Sequence, residues 1–333
     1  MRLSEKIPSP GKTGPCVNTS KDLNDRSPIF IAGPTAAGKS EIALVLAERI
    51  GGEIISVDSM QVYRGLDIGT AKPSPADRAR VPHHLIDVCD LPETFDAAQF
   101  VGRARLAAAE IQGRGRTPVF CGGTGLYFKA YLEGLGAAPA TQAHLRAEIE
   151  ATPPENLLAE LRDRDPATFE LIDKQNLRRI VRAIEVIRLT GKPFSAQRAE
   201  WTANDSALPA SNFFVLWRQA AELHPRINRR VDEMFRCGLV AETERLLQRG
   251  LGGNKTAMQA IGYRQVVELL RKERNLTDTI ELVKSRTRQF AKRQLTWLRR
   301  HARAEWIQLN SGAPTSQGLD QILARLKVTH TSP

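Results

Sequence analysis

Two hydrophobic rhythms alternate along the chain: short apolar runs, and longer stretches in which apolar residues return every three or four positions. The first run, Pro28-Ile29-Phe30-Ile31-Ala32, stops at a Gly-rich turn. In the following segment, 41–50, Ile42, Val45, Leu46 and Ile50 fall on one helical face. Residues 53–57 and 84–88 read as second and third strands, 97–112 as a helix, and 117–121 as a fourth strand ending at Gly122-Gly123. Strands alternating with helices predict an α/β protein with a parallel sheet covered on both faces. After Gly134 the rhythm changes. Residues 141–189 are helical in pattern, with Leu177, Ile180, Val181, Ile184 and Ile187 as one apolar stripe. Residues 213–217 and 305–309 then read as strands returning to the sheet. The pattern divides the chain into a tail expected to be disordered (1–27), a core (28–138 and 212–310), a helical insertion domain (139–211) and a C-terminal extension (311–333).

With 333 residues, 41% hydrophobic and 26% charged, the chain can bury a sizeable core. No apolar run approaches the roughly eighteen residues of a membrane span, so no membrane association is expected. Residues 1–27 are polar and lack the apolar segment of a secretory signal. Cys16, Cys89, Cys121 and Cys237 are scattered without metal or redox spacing. This predicts free thiols and a reducing, cytoplasmic setting. The net charge of +11 favours a polyanionic partner over a generally solvated basic surface, because seven Lys/Arg and no Asp/Glu lie between Arg286 and Arg303.

The candidate chemistry begins where the first strand ends. Gly33-Pro34-Thr35-Ala36-Ala37-Gly38-Lys39-Ser40 has the G-x-x-x-x-G-K-[S/T] spacing of a phosphate loop, after a strand and before a helix. Glycines there let backbone amides converge on phosphate oxygens, and the helix start adds positive potential. Lys39 supplies a mobile charge and the Ser40 hydroxyl a ligand for Mg²⁺. The fold class is therefore a P-loop NTPase-like doubly wound sheet with a helical insertion. The loop alone does not say whether its phosphates belong to a nucleotide or to another diphosphate.

In a doubly wound sheet, ligands sit beyond the carboxyl ends of the strands. The second strand delivers Asp58-Ser59-Met60-Gln61 there, and the fourth delivers Gly122-Gly123-Thr124. Asp58 reads as a general base, as a partner of bound Mg²⁺, or as a cap on the next turn. Gly122-Gly123-Thr124 reads as an anion-binding turn or as punctuation, and the adjacent His83 and His84 as structural residues.

In order along the chain, Gly33–Ser40, Asp58–Tyr63, Gly69–Pro73, Pro82–Asp87, Gly122–Tyr127, Arg182–Val186, Ala260–Arg264 and Thr287–Trp297 resemble the tRNA dimethylallyltransferases of bacterial type. The resemblance spans roughly residues 29–309. The lead of 27 residues is extra, and Gly136–Ala140 departs from the family's more proline-rich segment. The resemblance implies transfer of a dimethylallyl group from dimethylallyl diphosphate to N6 of adenosine 37, in tRNAs reading codons that begin with U. It implies that Gly33–Ser40 holds the diphosphate, with Thr35, Ala36, Ala37, Gly38, Lys39 and Ser40 lining the donor site. It further implies tRNA contacts at Asp58, Ser59, Met60, Gln61, Thr124 and Arg146. Others fall at Arg178, Arg179, Ile180, Val181 and Arg182, and at Lys292, Arg293, Gln294, Leu295, Thr296, Trp297, Leu298 and Arg299.

These residue types suit that chemistry. The adenine N6 lone pair is delocalised, so a base at Asp58 helps the attack, while Lys39, the loop amides and Mg²⁺ on Ser40 offset charge on the departing diphosphate. Lys39 and Thr124 are the other candidate catalytic groups. Arg226 and Arg230, one helical turn apart, read as a phosphate clamp or as a solvated face. A stacked purine cannot reach such a pocket and must be flipped out of the anticodon loop. Arg178, Arg179 and Arg182, and the series Lys284, Arg288, Lys292 and Arg299, are expected to face the RNA, with Phe290 and Trp297 in the core. The chain is expected to act as a monomer. A P-loop small-molecule kinase is the competing reading; a prenyltransferase acting on free AMP or ATP and a non-enzymatic RNA-binding module leave more residues unexplained.

Overall fold

The computed structural model describes residues 26–136, 138–197, 212–310 and 315–326; the expected tail up to residue 25, with Cys16, and residues 198–211 lie outside the described residues. Among the described residues, the strands are β1 (Ile29–Ala32), β2 (Gly52–Val57), β3 (His83–His84), β4 (Thr117–Gly122), β5 (Phe213–Trp217) and β6 (Glu305–Gln308). They form one sheet in the order β3-β2-β4-β1-β5-β6, and every pairing is parallel. Successive side chains of a strand point to opposite faces. Phe30 and Phe120 accordingly join one apolar cluster with Phe100, Phe128 and Tyr263. Ile31 and Val119 join a second cluster with Leu46 and Phe214 on the other side. Both faces are thus dry, as an all-parallel sheet requires.

Helices α1 (Lys39–Ile50), α2 (Pro75–Arg80), α3 (Ala97–Gly113) and α4 (Gly125–Glu133) connect the first strands. Asp96 caps α3 by accepting from the Gln99 amide, which explains its sharp start. The third strand is much shorter than the expected 84–88. Only His83 and His84 pair with β2, and Leu85 and Asp87 then take left-handed backbone conformations with φ of 61° and 56°. Ion pairs account for the departure: Lys72 and Arg78 both hold the Asp87 carboxylate. The amides of Asp87 and Val88 donate to Gln61 and Val62, so this stretch braces the loop after β2 instead of extending the sheet.

The stretch read as one helical region is four helices: α5 (Ala143–Ala151), α6 (Pro154–Arg164), α7 (Pro166–Leu171) and α8 (Leu177–Thr190). Pro154 and Pro166 each stand in a first turn, where proline costs nothing, while Pro153 and Pro166 follow the non-helical residues Thr152 and Asp165 at which the preceding helices end. Ile149, Leu157, Leu161, Ile180 and Ile184 form a cluster of their own. Beyond β5 come α9 (Ala220–Arg236), α10 (Leu239–Gln248), α11 (Tyr263–Leu270), α12 (Leu276–His301) and, after β6, α13 (Thr315–Arg325). The C-terminal extension is more than an appendage, because Leu319, Ile322 and Leu323 are buried in the cluster that contains Ile42 and Leu46 of α1. Cys89, Cys121 and Cys237 are free, and no helix of the described residues is long and apolar enough to cross a membrane.

At the far end of the sheet, Glu53 of β2 is buried yet charged. It accepts from Arg114, Arg116 and His84. Burial opposes its ionisation, but Arg114 and His84 outweigh burial and hold the carboxyl below its ordinary pKa. A depressed folded pKa stabilises the fold above the unfolded value and loses that contribution as pH falls through the folded one. Glu53→Gln is expected to cost about 1–3 kcal/mol at neutral pH and to reduce the acid sensitivity of stability. Denaturant titrations at neutral pH and near pH ~4 check both expectations.

Candidate active site

The site follows from strand register. Ala32 of β1 and Val57 of β2 both stand level with Gly122 of β4, which lies between them. The next residues, Gly33, Asp58 and Gly123, therefore leave the sheet at one edge. At Gly33 the chain turns with φ of 153°, and a Cβ there would lie 2.2 Å from the Leu216 carbonyl oxygen of neighbouring β5. Only glycine lets the loop pass so close. Ala36 (φ 62°) and Gly38 (φ 106°) complete the turn into α1.

The loop is braced from outside. The Lys39 ammonium donates to the Pro34 carbonyl at 2.8 Å. Arg226 of α9 donates to the Ala36 carbonyl at 3.0 Å, and Arg218 donates to Ala37 at 3.1 Å. Arg218 escaped the sequence reading because nothing in its local pattern ties it to a loop 181 residues earlier. Arg226, one of the two expected clamp residues, does touch the loop, but through a carbonyl.

Asp58 is fixed by its own turn. Its Oδ1 accepts from the amides of Met60 (2.8 Å) and Gln61 (3.3 Å), so the capping reading is realised on one oxygen and Oδ2 carries none of these bonds. The Ser59 amide donates to the Thr124 hydroxyl at 3.2 Å, joining the ends of β2 and β4. Gln61 accepts from Ser56 and donates to the carbonyls of Thr70 and Ala71, so its amide holds the wall of the site. Behind that wall, Glu242 accepts from the Ile68 amide and the Tyr263 hydroxyl, and Tyr263 accepts from the Gly69 amide. The buried Glu242 and Tyr263 lie 174 and 194 positions from the Ile68 and Gly69 amides they hold, so their role in this wall had no local signal, although Tyr263 falls within the Ala260–Arg264 stretch that carries the resemblance.

Two cavities meet here. One, of about 510 Å³, is lined by the outer side of the loop with Arg226, Arg229 and Arg230. The other, of about 410 Å³, holds Thr35, Asp58, Cys121, Thr124, Thr287 and Phe290. Lys39, Ser40 and Arg230 belong to both. Burial, reinforced by nearby Arg230, lowers the Lys39 pKa to about 8 against the opposing pull of Asp58. Burial lowers Arg230 too, with Asp58 opposing. Burial likewise pushes the Cys121 thiol up to about 11, so it is neutral. Two desolvated cations at one junction favour a bound polyanion.

The remaining sequence candidates divide sharply. Arg178 and Arg179 of α8 are exposed, with Arg178 donating to the Lys255 carbonyl. Arg182 is half-buried and tied to Glu185 and the Pro139 carbonyl, and Arg146 pairs with Glu150. Ile180 and Val181 are buried in the cluster formed with α5 and α6, so their side chains do not face a partner. On α12, Lys292, Arg293, Thr296 and Arg299 are exposed, Leu295 and Trp297 half-buried, and Gln294 and Leu298 buried. The expected basic stripe is shorter than its spacing suggested. Lys284 is engaged by Asp232 and Glu281, and Arg288 donates to Asn228, which docks that part of α12 on α9. Trp297 packs against the core as expected. Phe290 does not, being 37% exposed at the cavity with Arg293 beside its ring. His83 bonds to the Val81 carbonyl and His84 to Glu53.

Comparison with known proteins gives this geometry relatives. The family model described as IPP transferase matches residues 61–301, and that of isopentenyl transferase matches residues 28–88. The chain is 45% identical over 283 residues to a tRNA dimethylallyltransferase 1 of Trichlorobacter lovleyi, covering 84% of this chain and 92% of that protein. It is similar to the crystal structure of a tRNA isopentenylpyrophosphate transferase of Bacillus halodurans, with a TM-score of 0.64, 36% identity, and 91% and 97% of the two chains covered. It is also similar to a eukaryotic dimethylallyltransferase solved acting on tRNA, with a TM-score of 0.72, 28% identity, and 89% and 77% covered. On a family model that matches most of the chain and relatives of this identity, the chain belongs to the IPP transferase family, that of the tRNA dimethylallyltransferases.

Proposed function

We propose that this chain transfers a dimethylallyl group from dimethylallyl diphosphate to N6 of adenosine 37 in tRNA. The observation that carries the reading is the junction itself. A phosphate-binding loop and a carboxylate open on connected cavities, and the inner cavity reaches the exposed Phe290 and Arg293 of the basic helix α12. With diphosphate held by Lys39 and Arg230, the allylic carbon points into the cavity that contains Asp58. The N6 lone pair of an extruded adenine forms the new C–N bond as the C–O bond breaks and its electrons pass to diphosphate. The N6 proton passes to Asp58, whose Oδ1 is held by two amides. A small-molecule kinase is favoured by nothing in the site and leaves the exposed cations of α8 and α12 without a task.

Mg²⁺ belongs to the same proposal. Ser40 is exposed at the cavity junction, and no group of three or more His, Cys, Asp or Glu that could hold a metal occurs among the described residues. A hydroxyl beside a bound diphosphate fits an ion that keeps most of its water, as Mg²⁺ does. Bound there, it adds positive charge opposite the leaving group. Ser40 would hold it.

Mass spectrometry of tRNA nucleosides after incubation with dimethylallyl diphosphate and Mg²⁺ tests the reading; no dimethylallyladenosine would refute it. Asp58→Ala should slow single-turnover transfer by about 10²–10⁴ at saturating tRNA while tRNA binding is retained. Arg178→Ala and Lys292→Ala should each weaken tRNA binding and reduce the slope of log K against log salt by about 1. Lys39 is charged below its pKa of about 8 and loses its proton above it. Affinity of the free enzyme for dimethylallyl diphosphate should therefore hold steady below that pH and decline above it, and Lys39→Met should remove the decline.

A further inference from the structure

Gln294 lies in the middle of the basic stretch of α12, between the exposed Arg293 and the buried Leu298, yet it turns away from solvent and is 9% exposed. Its Oε1 accepts from the Thr35 amide of the phosphate loop at 2.9 Å. Its Nε2 donates to the Gly123 carbonyl at the end of β4 at 3.0 Å. One side chain thus bridges the loop after β1, the turn after β4 and the helix that presents Lys292 and Arg293. The fit depends on glycine, since a Cβ at Gly123 would lie 2.2 Å from Nε2. Thr35, Gly123 and Gln294 all line the inner cavity. The Thr35 amide is directed to the protein, so Gln294 helps to decide which loop amides remain for phosphate. Removing the side-chain amide would strand a part-buried donor and a part-buried acceptor beside the diphosphate site.

We propose that Gln294 is a positioning residue that sets the phosphate loop and couples it to RNA docking on α12, rather than an RNA contact. The proposal rests on the functional reading above for the identity of the RNA. A shift of α12 on binding RNA moves the group that holds the Thr35 amide, and by linkage a diphosphate in the loop alters RNA affinity by the same factor.

The test measures binding separately from transfer, with wild type, Gln294→Met and, as a second approach from the opposite side, Gly123→Ala. Inorganic diphosphate is titrated calorimetrically with and without saturating tRNA, and tRNA affinity is followed as a function of salt. Both variants should weaken diphosphate binding about tenfold, leave tRNA affinity in the absence of diphosphate within about twofold, and leave its salt slope unchanged. In wild type, saturating tRNA should change diphosphate affinity by about fivefold or more, and in Gln294→Met that factor should fall toward one. Gln294→Glu keeps an acceptor for Thr35 and should fall between. Weakened tRNA binding with diphosphate affinity intact would overturn the proposal in favour of an RNA contact. Lower melting temperature with both affinities intact would reduce Gln294 to a packing strut and also overturn it. Wild type that neither binds tRNA nor prenylates it would count against the functional reading instead, a result distinguishable from either.

Discussion

Everything at the site depends on parallel register at one sheet edge, where Ala32, Gly122 and Val57 stand level across β1, β4 and β2. A parallel ladder fixes which residues of distant segments leave the sheet together, and its hydrogen bonds do not tolerate a one-residue slip without turning buried side chains outward. The phosphate loop and Asp58, 25 positions apart from Gly33 onward, become neighbours only through an intervening strand drawn from much later in the chain. The clusters on the two faces, one around Phe30 and Phe120 and the other around Ile31 and Val119, keep that ladder dry and hence rigid.

On this rigid edge the protein concentrates positive charge at a cost. Lys39 and Arg230 are both shifted down by desolvation, so in the free enzyme they occupy an environment less favourable to charge than water. In the proposed reaction a bound diphosphate would relieve that penalty, most as charge builds on the leaving oxygens. The same arrangement is preorganised, because the loop carbonyls are pinned by Arg218, Arg226 and Lys39 before any ligand arrives. Asp58 is treated oppositely: its turn is satisfied internally through Oδ1, which orients the carboxylate without spending both oxygens.

The helices divide their cations between support and solvent. Helix α9 carries Arg226, Arg229 and Arg230 to the loop, and its contact with α12 is sealed by Lys284 on Asp232 and Arg288 on Asn228. Cations that looked alike along α12 therefore do different work. The early ones hold two helices together, and Lys292, Arg293 and Arg299 remain in solvent. The same sorting occurs on α8, where Arg182 is tied to Glu185 and Arg178 and Arg179 stay outside.

Features written in contiguous residues were legible without coordinates. The phosphate loop, the strand before it, the helix after it and the acid at the end of β2 each depend on neighbours within a turn or two, so local pattern sufficed. The third strand was misread because its apolar run resembles a strand, whereas Asp87 is drawn off by Lys72 and Arg78. The burial of α13, the exposure of Phe290, the Glu242–Tyr263 brace and the turn of Gln294 toward Thr35 were likewise out of reach. The chain by itself determined the phosphate loop with its flanking strand and helix, most of the sheet strands, and which residues can carry charge to a phosphate. Tertiary structure alone decided which cation is paired, which amide is taken and which side chain looks inward, because those outcomes depend on groups brought together from tens to hundreds of positions apart.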